Sequence, residues 1–174
     1  MGVKMKLNRD ASLLLRKIFI YFAIIFISSL LQTSFLAVIE PFGAVPDLML
    51  IMSLGAGFFC GPLVGGIFGV ASGVMAYALG GAGLAFMPLL YCAVGAFAGF
   101  LVESFFSGKF AVWLIYLFFA AAVKGGYSLA YIVFFSGDVQ FFAAIWRSII
   151  PEFIGTLILG AMLYLPIRKM GKCL

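Results

Sequence analysis

PDLMLIMSLGAGFFCGPLVGGIFGVASGVMAYALG, Pro46 to Gly80, carries a single charge, Asp47, and one break, Gly61-Pro62. Proline has no backbone N–H and disrupts a helix interior, but it suits the first helical turn. The break therefore predicts two short helices, Leu48–Cys60 and Pro62 to about Leu79, in place of one long one. Two full spans here give the chain six crossings, one continuous helix gives five, and a re-entrant hairpin leaves four spans around it. Six is the expected count, and the charges outside this stretch are the reason.

Moving outward, the flanking sequence is as apolar as the centre. The run IFIYFAIIFISSLLQTSFLAVI, Ile18 to Ile39, is uncharged; at 1.5 Å per residue it reaches about 33 Å, enough to cross the hydrocarbon. It follows a basic leader, yet it is longer than a signal-peptide core and no small-x-small cleavage site follows, so it reads as a retained first span. Further spans are expected from Leu84 to Val102, Phe110 to Phe135 and Ala144 to Pro166. The chain divides into a basic segment (1–17), a transmembrane domain (18–166) and a basic tail (167–174). Across all 174 residues, 66% are hydrophobic and 10% charged, with mean hydropathy +1.25. Soluble domains carry about a quarter charged residues, so this is an all-α polytopic membrane protein with no room for a soluble catalytic domain.

Of the eleven Lys and Arg, five precede the first span (Lys4, Lys6, Arg9, Arg16, Lys17), three follow the last (Arg168, Lys169, Lys172), and Lys109 sits between spans four and five. Glu40, Asp47 and Asp138 fall in the opposite loops. Basic loops stay cytoplasmic, so an even number of crossings with both termini inside satisfies the pattern. The same rule accounts for the net charge of +5 without nucleic acid as a partner.

Chemistry is sparse. The chain has no His, and its three Cys (Cys60, Cys92, Cys173) lack metal-ligand spacing, which removes imidazole catalysis, His-based metal centres and zinc frameworks. No metal or cofactor is expected. Ser128 lies one helical turn after Lys124, a pair without an oxyanion motif, and no enzyme activity is expected. Two features stand out. Gly61, Gly65, Gly69 and Gly73 recur every four residues beside Pro62, and Gly95 and Gly99 form a matching patch on the next span. Such a groove serves either as a docking surface or, more commonly, as internal helix packing. The second feature is charge within spans: Lys124, Arg147 and Glu152. Arg147 and Glu152 are five residues apart and face different ways, so Glu152 is expected to meet Lys124 across two antiparallel helices, as a structural ion pair or a substrate site.

The order of these features resembles the MreD family of rod shape-determining membrane proteins. Leu31-Gln32-Thr33-Ser34 stands late in span one, Pro46-Asp47-Leu48 at the start of span two, and Gly61-Pro62 opens a third span with Gly65, Gly66, Gly69 and Gly73. The matches concentrate between residues 30 and 90. Tyr77 departs from the pattern, standing where many MreD sequences carry Asp. The resemblance implies a six-helix bundle like that of energy-coupling-factor S-components, in the bacterial cytoplasmic membrane. It implies a non-enzymatic part in cell elongation and peptidoglycan synthesis, with an MreC-like protein as partner and, through it, RodA, a class B penicillin-binding protein and MreB. The alternative is an S-component of a vitamin transporter, although the Ala-x-x-x-Ala motif usual on span one of those proteins is missing from IFIYFAIIFISS.

Overall fold

A computed structural model describes residues 20, 22–39, 44–80, 86–104, 109–131, 134, 146 and 149–173, and these are helical apart from short connections. Six helices follow in order: α1 (22–39), α2 (Leu48–Cys60), α3 (Pro62–Gly80), α4 (Met87–Ser104), α5 (Phe110–Tyr131) and α6 (Ile150–Cys173). The segment 1–17, Glu40, Asp138 and Arg147 lie outside the described residues.

α2 is the axle. Ten of its thirteen residues are buried, and it packs against α3, α4, α5 and α6. Ala56 also meets Ile25 of α1 and Phe68 of α3 in a small apolar cluster. The outer helices are inside out by the standard of a soluble protein. Leu63, Ile67, Phe97, Phe119 and Met162 are each more than half exposed, as expected where the solvent is lipid. α5 and α6 are long and apolar enough to cross a membrane, whereas four other apolar helices are shorter. At about 20 Å, α2 falls short of a hydrocarbon core about 30 Å thick.

The predicted break is present, and glycine makes it possible. Gly61 has φ +96°, a conformation open to glycine with little strain, and its N–H donates to the Gly57 carbonyl at 3.1 Å. Pro62 then begins α3. α2 and α3 fold back so tightly that Gly65 lies against the Gly57 backbone, and both meet Gly95 of α4. Further along the α3–α4 seam, Gly69 faces the Tyr91 carbonyl and Gly73 faces Pro88, while Gly99 faces Gly61 and Pro62. The glycine groove is thus filled by the chain's own helices. In lipid, close backbone contact supplies packing that the hydrophobic effect cannot.

The sixth helix departs from its expected end. It runs through Pro166 to Cys173, so the basic residues after Pro166 continue the helix. Pro166 removes one hydrogen bond, but Ile167 is buried and packs on Gly55 of α2, which holds the following turn in line.

Gly66 provides an internal control for the seam, since an added Cβ would sit 3.5 Å from the Ala96 Cβ, an ordinary contact. We expect Gly66→Ala to leave the detergent melting temperature near wild type. Gly69→Ala should lower it, by an equivalent of about 1–3 kcal/mol for overpacking. Equal melting of the two variants would mean that the seam is not close-packed.

Candidate functional site

A helix that starts inside a membrane has a problem of supply. Its first N–H groups have no intrahelical acceptors, and lipid offers none. α2 starts in this position, and four connections close the gap ahead of the first regular helical bond, which Ile51 makes. The Leu48 N–H donates to the Pro46 carbonyl at 3.2 Å and the Ile51 N–H to the Asp47 carbonyl at 3.3 Å. The Met49 N–H donates to Gln32 Oε1 of α1 at 3.1 Å. Asp47 Oδ1 accepts from the Leu50 N–H at 3.0 Å, a side-chain N-cap. The Asp47 N–H itself donates to Thr156 Oγ1 of α6 at 2.9 Å. The Thr156 hydroxyl in turn donates a hydrogen bond to the Glu152 carbonyl at 2.7 Å.

Gln32 can reach α2 because α1 changes its winding there. Leu31–Leu36 is a π-helical turn, a local widening that re-aims side chains and recurs at functional positions. Thr33 donates to the Ser29 carbonyl at 2.9 Å within the same turn. The Leu-Gln-Thr-Ser segment is therefore a device for offering an amide oxygen to the next helix.

The second oxygen of Asp47 gathers the other helices. Oδ2 accepts from the Tyr91 hydroxyl of α4 and forms an ion pair with Lys124 of α5. Lys124 also contacts Glu152 Oε1 of α6. The expected meeting of Lys124 with Glu152 is present. The placing of Asp47 in an outer loop is not: Asp47 is 0% exposed and is a full member of the cluster. The physical reason lies in the cap, since a carboxylate that serves a buried helix start must be buried with it. Lys124 is the fifteenth of the 22 residues of α5, about 21 Å from its start and about 10 Å from its end, so the cluster lies within the length of that apolar helix.

Asp47 and Glu152 share one ammonium. Their side chains are 1% and 29% exposed, against 12% for Lys124, so Glu152 is the open edge. The space beside them, lined by Leu50, Lys124, Gly125, Ile149, Glu152 and Thr156, is about 10 Å³, room for at most one water. Among the described residues no group of His, Cys, Asp and Glu could hold a metal ion. Elsewhere Ser53 donates to the Tyr91 carbonyl at 2.8 Å, which ties α2 to the turn of α4 that carries Tyr91. Sequence reasoning missed Tyr91 and Thr156, whose residue types are ordinary at their positions. Pro46 is buried ahead of the cap, and Tyr77 is exposed on α3, away from these contacts.

Because three charges are linked, two substitutions cannot neutralise them. Lys124→Met strands both carboxylates, and breaking a buried pair typically costs about 3–5 kcal/mol. We expect Lys124→Met with Glu152→Gln to melt well below wild type, because Asp47 stays charged without its cation. Adding Asp47→Asn keeps an N-capping oxygen and should recover much of the loss. A double variant as stable as wild type would remove Asp47 from the ionic cluster.

The family model described as 5TMR of 5TMR-LYT covers residues 3–166, nearly the whole chain. No curated protein and no solved structure matches significantly. The match and the apolar outer faces agree on a multi-pass membrane protein, and the chain belongs to the five-transmembrane family described as 5TMR of 5TMR-LYT.

Proposed function

We propose that the chain is a non-enzymatic scaffold of the cell-elongation machinery in the bacterial cytoplasmic membrane, acting with an MreC-like partner and through it with RodA, a class B penicillin-binding protein and MreB. One observation carries this reading. Among the described residues, the polar side chains gathered at the start of α2 are committed to one another, around a space of about 10 Å³ with room for no more than a water. A vitamin-binding S-component needs a polar chamber in its bundle, whereas a scaffold needs a rigid shape. Gln32, Pro46-Asp47 and the Gly61-Pro62 hinge, on which the likeness to MreD rests, all serve that shape. The family match names neither a substrate nor a partner.

In this reading the chain makes six crossings with both termini in the cytoplasm. α2 contributes a short crossing that the non-helical residues 44–47 extend by up to about 13 Å. The matched family is named for five spans, one fewer than this count of six.

Topology is checked by single cysteines in an otherwise Cys-free chain, labelled with an impermeant maleimide in whole cells. Asp138→Cys should label and Lys172→Cys should not; the reverse pattern would overturn the orientation. The role is checked by affinity purification from detergent together with cell shape. We expect recovery of a coiled-coil MreC-like protein, and loss of rod shape on depletion. Recovery of an ATPase module instead, with vitamin uptake lost and shape unchanged, would favour the transporter.

A further inference from the structure

The ring of helices around α2 is open on one side. α4 and α5 diverge, and between them lies a slot of about 460 Å³ lined by apolar side chains, with Leu54 of α2 at its floor and Phe97 and Phe119 on its walls. Phe97 and Phe119 are 64% and 61% exposed, so the slot faces the bilayer. Open to the bilayer along its length, the slot presents an apolar surface of the kind that a lipid hydrocarbon chain covers.

Charge distinguishes one end of the slot. Lys109, Tyr116 and Val123 are spaced by seven on α5 and so lie along one slowly drifting stripe. Tyr116 and Val123 line the slot, and exposed Lys109 stands about 10 Å beyond Tyr116. Arg168 of α6 lies over the Tyr164 ring, which in turn meets Phe110, so this cation belongs to the α5–α6 side and Lys109 is the one that shares the slot's stripe. The acid at this end, Glu103, lies against Gly61 at the α2–α3 turn, on the side of α4 that faces α3. The mouth of the slot is left cationic.

We propose that this slot is a binding site for one anionic phospholipid, with an acyl chain between α4 and α5 and the phosphate held by Lys109. The site is independent of the scaffold reading and rests only on the membrane location. Basic residues at the cytoplasmic surface attract anionic headgroups, and the slot converts that general attraction into a defined seat.

The test uses the full chain, delipidated in detergent and titrated with phosphatidylglycerol or phosphatidylcholine of the same chains. Native mass spectrometry should show one retained phosphatidylglycerol, and its melting-temperature gain should exceed that from phosphatidylcholine. Ala93→Phe, which fills the slot from α4, should abolish retention of either lipid. Lys109→Gln should remove at least half of the preference for phosphatidylglycerol and leave the melting temperature without lipid unchanged. A photoreactive residue replacing Phe97 should give an adduct of phospholipid mass in native membranes. Equal retention of the two lipids, retention unaffected by Ala93→Phe, or an adduct of polypeptide mass would each overturn the proposal, the last by showing that a partner helix covers the slot.

Discussion

The start of α2 is a row of N–H groups deep in a membrane, and the rest of the bundle is arranged around their satisfaction. Each group left bare in lipid costs several kcal/mol, so a thirteen-residue helix that begins there can exist only if its neighbours bring acceptors to it. α1 brings the Gln32 oxygen and α6 brings the Thr156 hydroxyl. Asp47 caps its own helix and takes on a charge that must then be balanced, which recruits Tyr91 from α4 and Lys124 from α5. The ionic cluster follows from the cap. In that sense the intramembrane charges are the outcome of a backbone requirement, and their burial is no independent sign of transport.

The opposite end of α2 is governed by space. Where Gly57, Gly65 and Gly95 meet, three helices approach without side chains between them, and farther out the helices separate and aromatic bulk takes over. Phe58, Phe59, Trp113 and Tyr164 form a connected set of ring contacts, and the Trp113 indole N–H donates to the Gly160 carbonyl at 3.0 Å. The bundle is thus wedge-shaped in its packing, held by backbone proximity on the α3–α4 side and by rings on the α5–α6 side.

Much of this was legible in the residues. The Gly61-Pro62 break, both helices beside it, the four-residue glycine spacing and the Lys124–Glu152 pairing follow from chain geometry, because helical periodicity and the cost of buried charge leave few alternatives. Asp47 was not legible as a buried group. A carboxylate between Pro46 and an apolar helix reads as an outer-loop acid unless the depth at which the helix begins is known, and depth is a tertiary property. Gln32 gave a partial signal, as a lone amide late in an uncharged run. The continuation of α6 beyond Pro166 depended on Ile167 finding Gly55, a contact between residues more than a hundred positions apart.

That distance in sequence bears on how the protein is made. Asp47 and Thr156 are 109 residues apart, so the acceptor for the Asp47 N–H leaves the ribosome long after α2 has been delivered to the membrane. Until then α2 has an incomplete cap and an acid without its counter-ion. The tight turn at Gly61 lets α2 and α3 enter as a joined hairpin, with the short helix sheltered by the longer one. Assembly of this bundle is therefore closed by α6 at the site where α2 begins.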